Sequence, residues 1–302
     1  MTIVHNLFFF LVFPGFLFAA AIGLFAGWID RKVTARLQWR VGPPWHQNFM
    51  DVAKLFCKET LIPEGCSRGL FFSMPVVALA TATLASTIVA MANLSRAHGF
   101  IGDFIVVLYL AMVPSIAVML GGAASGNPLA NLGVSREMKL VLSYELPFVL
   151  ASAVPIIKSG YAIRLGEILD CQIRDGAFIT SPSGIVAFLV SLLVLQAKLG
   201  FVPFDVAEAE TEIAGGVCIE YSGKALGIWK LTRAVLMVGL PILVSTVLLG
   251  GAGLPQYFLI LVLMIVIKNT NPRVRIDQAL RFFWGPVAGL ALLAVVLAMI
   301  GR

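Results

Sequence analysis

The chain has 302 residues, 59% of them apolar and only 13% charged, with a mean hydropathy of +0.95. Soluble domains carry roughly half apolar and a quarter charged residues, so this composition excludes a soluble globular fold and fits a polytopic membrane protein. The net charge of +6 is concentrated in polar segments between long apolar runs.

Crossing a hydrocarbon core of about 30 Å takes about 20 mostly apolar residues. Eight apolar runs follow one another near residues 5–28, 70–93, 100–122, 139–157, 182–202, 229–249, 254–268 and 283–301. They predict an all-α integral membrane protein of eight transmembrane helices, organised as a single polytopic domain over residues 1–302. The runs are continuous, without the alternation of barrel strands, which excludes a transmembrane β-barrel. No basic stretch precedes the first run, and it is too long for a signal-peptide core, so it is expected to be retained as the first helix. The short seventh run shares a tight GGAGLPQ turn with the sixth and is expected to pair with it antiparallel.

Lysine and arginine divide unequally between the two sides. Residues 29–69 hold seven, and together with the loops after the third, fifth and seventh runs they reach sixteen, against five on the other side. The positive-inside rule therefore places the long loops after helices 1, 3, 5 and 7 in the cytoplasm of a cell with this chain in its inner membrane, and both termini outside. A face this rich in charge suits the docking of a soluble partner.

Within the fourth run, Glu145 in VLSYELPFVLA stands where a charge costs a few kcal/mol unless it meets a polar cavity or a partner. Tyr144 beside it, and Arg233 in KLTRAV of the sixth run, are further intramembrane candidates; Arg233 either snorkels to the interface or faces the same cavity. Pro147 locally frees backbone carbonyls, which favours a wet site around Glu145.

The segment GFVPFDVAEAETEIAGGVCIEYSG, residues 200–223, gathers Asp205, Glu208, Glu210, Glu212 and Glu220. If residues 205–213 are helical, Asp205, Glu208 and Glu212 share one face and Glu210 points away. Such crowding would destabilise the helix and raise and couple some carboxylate pKa values. Gly215, Gly216 and Gly223 allow close packing or positive φ. A solvated loop that only keeps one edge polar accounts for the composition equally well.

Other chemistry is absent from the sequence. Cys57, Cys66, Cys171 and Cys218 lack CxxC or Cys/His spacing, and His5, His46 and His98 are scattered, so this chain is expected to bind no cofactor or metal. There is no Walker A loop, dinucleotide fingerprint or nucleophile elbow. GGAASGNP at 121–128 is expected to be a flexible turn.

Four segments in order, IDRKVTARLQWRVGPP with DVAKLFCKE, SREMKLVLSYELP, the acidic segment above, and NTNPRVRIDQALRFFW, resemble the H subunit family of respiratory NADH:quinone oxidoreductase (complex I) and of membrane-bound [NiFe] hydrogenases. The resemblance implies eight transmembrane helices that grip a peripheral electron-transfer arm and couple its redox chemistry to H⁺ or Na⁺ translocation. It implies a buried polar path through Glu145, with Asp205, Glu208, Glu210, Glu212 and Glu220 at its entrance. Arg31, Arg36, Arg40, Arg273 and Arg275 would be basic partners of those acids or of the docked arm. Fe–S clusters and a NiFe centre would belong to partner subunits, namely hydrogenase-like large and small subunits beside antiporter-like membrane subunits, with no nucleic acid. The reading RVGPPWHQNFMDVAKLF departs from the GPNRVGP-like pattern of quinone-reducing members, and it is closer to the hydrogenase branch than to a quinone or sulfur reductase. A stand-alone ion transporter or a passive anchor remain the competing classes; no internal repeat supports the former.

Overall fold

A computed structural model describes residues 2–96 and 99–301. The side chains of residues 2–6 and of Glu210 and Thr211 lie outside this description, as does the whole of His98. Every regular element among the described residues is helical. In chain order these are α1 (Thr2–Leu11), α2 (Phe16–Leu37), α3 (Gln47–Cys57), α4 (Arg68–Leu94), α5 (Asp103–Leu110), α6 (Val113–Ala124) and α7 (Pro128–Lys158). They continue as α8 (Leu165–Asp175), α9 (Pro182–Lys198), α10 (Glu210–Ile213), α11 (Gly223–Leu248), α12 (Leu254–Thr270), α13 (Ile276–Phe282) and α14 (Ala288–Met299).

The eight expected crossings appear with revised limits. Six stretches are long and apolar enough to span a membrane, while α9 and α12 are apolar but have 17 residues each. At 1.5 Å per residue these two rise about 25 Å, slightly short of the hydrocarbon thickness. The first run is broken at 12–15, where Pro14 lacks the N–H a helix needs. The third is interrupted between α5 and α6, and the last passes through a π turn at Phe283–Val287 that contains Pro286.

The largest revision concerns the fourth run. Asn127 accepts a hydrogen bond from Leu129 N–H at 2.8 Å and Pro128 occupies the first turn, so the helix starts at residue 128, eleven positions before the expected 139. The expected flexible turn at 121–128 shrinks to 125–127, because α6 runs through Gly121 and Gly122. Arg136, Glu137 and Lys139, read from the sequence as loop residues, are therefore helical.

α11 is the most buried span and packs mainly against α4 and α2; α7 packs against α9, α14 and α6. Lipid offers apolar helices little gain from association, so close backbone approach matters. A Cβ on Gly23 of α2 would stand 1.9 Å from the Ala234 carbonyl oxygen of α11, so only glycine permits this contact. The turn at 249–253 joins α11 to α12, as the shared GGAGLPQ motif predicts.

At one end of the bundle the long connections meet. Leu61 N–H donates to Ser222 Oγ at 2.9 Å, and Val274 N–H to the Pro203 carbonyl at 3.0 Å. The segment 38–67, the acidic segment and residues 271–275 thus form one polar cap. The 159–181 connection lies at the other end and contains α8, with a buried Leu165–Ile168–Leu169 face.

Candidate functional site

Between α6, α7, the end of α9, the acidic segment and the first turns of α11 lies a cavity of about 460 Å³. Glu137, Lys198, Asp205, Glu208, Lys230 and Arg233 supply charge to its wall, with Cys218 and Tyr221 beside them. Val118, Leu199, Phe204 and Trp229 supply apolar surface. Arg233 stands ten residues into α11; its side chain, 47% exposed, borders the cavity and pairs with Glu208 of the acidic segment, whereas Glu145 is not on that wall.

The acidic segment does not form one helix. A 3₁₀ turn at Val206–Glu208 and the short α10 are separated by Ala209, whose ψ of 95° leaves the helical region. The expected crowding of Asp205, Glu208 and Glu212 on one face is therefore overturned, because each carboxylate is drawn to a different arginine. Asp205 is held by both arms of Arg273 (Nε to Oδ1 2.8 Å, Nη2 to Oδ2 2.5 Å), Glu208 by Arg233 Nη2 at 2.5 Å, and Glu212 by Arg136 Nη1 at 2.6 Å. Glu220 accepts from Asn127 Nδ2 at 2.5 Å. Asp205 and Glu208 line the cavity, whereas Glu212 and Glu220 are not part of its wall. Glu210 falls outside the described side chains.

The glycines behave as their sequence positions require: Gly215, Gly216 and Gly223 all have positive φ. Burial pushes the Cys218 thiol above its ordinary range, with Glu208 adding to the shift, Arg233 opposing it and Glu137 adding again. Burial likewise pushes the Tyr221 hydroxyl up; it donates to the Phe71 carbonyl at 3.2 Å while its ring stacks on Phe71 at 4.3 Å.

Glu145 lies deeper. Its Oε2 accepts from Lys198 Nζ at 2.7 Å, and the Lys198 side chain is 1% exposed against 19% for Glu145. The same amine stands 4.6 Å from the Phe148 ring centroid and 5.2 Å from that of Tyr144, an arrangement that stabilises a buried cation. The Tyr144 hydroxyl meets Ser115 Oγ at 3.2 Å, and its ring packs edge-on to Phe283 at 6.2 Å. Glu137 and Glu145 are eight residues apart on one helix, about 12 Å along its axis.

The chain leaving α9 is fastened at short intervals. Lys198 reaches Glu145, Phe201 lies 5.1 Å under Lys268, Phe204 packs on Phe282 and Phe283, and Asp205 is clamped by Arg273. Lys268 in turn donates to Asp30 Oδ2 at 2.6 Å, a second lysine–carboxylate pair in which here the carboxylate is the buried partner, while Asp30 Oδ1 finds no protein partner. Asp30 borders a second cavity of about 220 Å³ between α2, α3 and α11, whose wall shares Lys230 and Arg233 with the first.

Of the five arginines proposed as basic partners, Arg273 meets an acid of the 200–223 segment. Arg31 instead binds Asn48 Oδ1 at 2.6 Å and Asp51 Oδ2 at 3.3 Å on α3. Arg36, Arg40 and Arg275 are exposed and form no ion pair among the described residues. Glu137, Lys198, Asp30 and Lys268 were missed as site residues. The Asn127–Pro128 helix start was the available signal for Glu137; the pairings of Lys198 and Lys268 join distant segments and left no local mark.

A family model described as NADH dehydrogenase matches residues 9–299. The chain belongs to the NADH dehydrogenase family. The second H subunit of NADH-quinone oxidoreductase from Syntrophobacter fumaroxidans is 32% identical over 294 residues, covering 89% of this chain and 88% of the relative. The H subunit of the Bacillus cereus NADH-quinone oxidoreductase is 30% identical over 290 residues, covering 89% and 86%. Among solved structures, a chain of the membrane-bound sulfane sulfur reductase, an archaeal respiratory membrane complex, superposes with a TM-score of 0.85 at 27% identity, covering 94% of this chain and 96% of that one. This member of the NADH dehydrogenase family is thus a multi-span membrane component of a respiratory complex, built like the H subunits, and its relatives are subunits of oxidoreductase complexes.

Proposed function

We propose that this chain couples electron transfer in a docked peripheral arm to the movement of H⁺ or Na⁺ through the membrane. The observation that carries the reading is the charged cavity beneath the acidic segment, with Lys198 on its wall bound to the deeper carboxylate of Glu145. A change of charge in the arm above this cavity alters the balance among Glu137, Glu208 and Arg233, and Lys198 passes it to Glu145. Each pKa unit so moved is worth about 1.4 kcal/mol. The residues of this chain bind, orient and exchange protons; electrons and cofactors belong to partners.

Our reading assigns the complex to the membrane-bound [NiFe] hydrogenase type, with a nickel-iron centre and Fe–S clusters in peripheral large and small subunits and antiporter-like subunits in the membrane. The polar cap faces the cytoplasm, both termini face outward, and the exposed Arg36, Arg40 and Arg275 contact the arm. A sulfur-reducing complex is the second reading, favoured by the structural likeness to the sulfane sulfur reductase chain.

Two experiments test this. Glu145→Gln in the reconstituted complex should abolish most ion pumping while electron transfer with artificial donors continues; full pumping would leave the chain a passive anchor. Nickel in the co-purifying large subunit supports the hydrogenase type, and its absence supports the sulfur or quinone reductase type.

A further inference from the structure

Helix α3 bridges α2 and α11 without burying any residue of its own. Near its start, Asn48 donates to the Leu24 carbonyl of α2 at 2.9 Å and accepts from Arg31 at 2.6 Å. Near its end, Leu55 and Phe56 lie against α11 at Gly227, where an added Cβ would stand 3.1 Å from the Phe56 ring. Asn48, Asp51, Val52 and Leu55 follow the spacing of one helical face. Asp51 and Val52, between the two anchors, border the second cavity of about 220 Å³.

This cavity changes character with depth. α2 runs toward the polar cap and α11 away from it, so Arg31 and Lys230 stand at the cap end, while Gly23, Leu24 and Met237 stand deeper. Trp28 lies between these levels on α2, and tryptophan is enriched where headgroups meet hydrocarbon. Three charged residues of the wall already have counter-charges: Asp30 pairs with Lys268, Arg31 with Asp51, and Arg233 with Glu208. Lys230 is exposed and forms no ion pair among the described residues, so the wall is one negative charge short.

Basic pockets between spanning helices take lipid phosphates. We propose that this cavity seats the phosphate of one membrane phospholipid at its cap end, with Lys230 as the counter-charge. Arg31 and Arg233 donate beside it, since a guanidinium has five N–H groups and their carboxylate partners use only some of them. The acyl chains cover Leu24, Val52 and Met237. Such a lipid props α3 across the cleft between α2 and α11, whatever the complex reduces. A neutral lipid or isoprenoid quinone would cover the same apolar surface and leave Lys230 without a counter-charge.

The test washes the intact complex extensively in mild detergent and counts retained lipids by quantitative mass spectrometry. The parent should keep one more phospholipid per complex than Lys230→Glu, which reverses the charge, and than Val52→Trp, which fills the apolar part. Equal counts in the parent and both variants would overturn the site. In a second arm, isotope-labelled phosphatidylglycerol, phosphatidylcholine, dioleoylglycerol and a long-chain isoprenoid quinone are each added back to the stripped complex. Both phospholipids should bind at least tenfold more tightly than the two neutral molecules, and Lys230→Glu should erase that preference. Preference for the quinone or the diacylglycerol, or a phosphate preference unchanged in Lys230→Glu, would overturn the assignment. Should Lys230→Glu not assemble, Lys230→Gln supplies the same comparison, with the preference reduced severalfold.

Discussion

Arg233 donates a 2.5 Å hydrogen bond to Glu208 and stands on the walls of both cavities. One side chain of the most buried helix thereby fixes the acidic segment and separates two voids. Both partners are partly exposed, at 47% and 32% of the side chain, so the pair contributes about 1 kcal/mol or less to stability. Under the proposed coupling its weight is functional. Arg233→Gln is expected to leave thermal unfolding in detergent within a few degrees of the parent while pumping by the reconstituted complex drops sharply. Destabilisation of several kcal/mol with pumping per folded complex unchanged would reverse that assignment.

The clamp of Arg273 on Asp205 differs in kind, since both arms of the guanidinium are engaged and the Asp205 side chain is only 16% exposed. A fork of this type loses geometry as well as charge when replaced by lysine. A double-mutant cycle of Asp205→Asn and Arg273→Gln, read by unfolding in mixed detergent, should give a coupling energy of about 0.5–3 kcal/mol. Additivity of the two losses would show that the segment is held without this pair.

How much of this was legible in the sequence depended on the range of the signal. The apolar runs located the six long spans and the two shorter apolar helices because hydropathy is local and long, and Glu145 stood out because a lone acid in such a run is conspicuous. The acidic segment was read as one amphipathic helix because helical spacing says nothing of arginines 25 to 76 residues away that draw Asp205, Glu208 and Glu212 apart. Glu137 was lost to a helix start set eleven residues late: Asn127–Pro128 is a strong start signal, but Asn131, Ser135, Arg136, Glu137 and Lys139 diluted the hydropathy after it. Lys198 and Lys268 were counted as loop charges, since a lysine at a helix end looks the same whether it faces solvent or a buried acid.

Gly216 tests the packing under the cavity. Its φ is +52°, and a Cβ there would stand 2.0 Å from the Ala207 carbonyl oxygen and 2.8 Å from Ile213 Cδ1. The carbonyl belongs to the backbone of the 3₁₀ turn beside Glu208 and cannot swing aside. Gly216→Ala combines this clash with left-handed strain, so a loss of about 2 kcal/mol or more is expected, with the acidic segment opened to proteolysis. An unchanged protease pattern and midpoint would show that the segment is looser than these distances require.

Cys218 reports the electrostatics of the same wall. Its thiol is pushed up by burial and by the charges of Glu208 and Glu137, so little thiolate is present at neutral pH and alkylation is slow. Labelling by iodoacetamide, followed by peptide mass spectrometry, should mark the exposed Cys57 early and Cys218 late. Removing the Glu208 charge in Glu208→Gln lowers the thiol pKa, so Cys218 labelling becomes faster at a given pH. Removing Arg233 in Arg233→Gln acts in the opposite sense and slows it. A reversed order between these two variants would mean that access, not charge, controls the thiol.

The segment after α2 presents Trp39 at 99% exposure, Val41 at 75% and Trp45 at 60%, with Arg36 and Arg40 among them. Trp39 also holds a φ of +59°, a conformation that costs energy for a residue with a bulky side chain and that persists only when its surroundings impose it. Pro43 beyond it is anchored by Trp28, whose Nε1–H donates to its carbonyl at 3.1 Å, so the exposed rings project from a fixed turn. Tryptophan and arginine dominate the energetic centres of protein interfaces, where truncating one costs about 2 kcal/mol or more. If the proposed peripheral arm docks on this turn, Trp39→Ala with Trp45→Ala should shed it during detergent purification, while the variant chain alone unfolds at the parent temperature because neither ring is part of its core. Undiminished peripheral subunits in the purified complex would place the docking contact elsewhere on the polar cap.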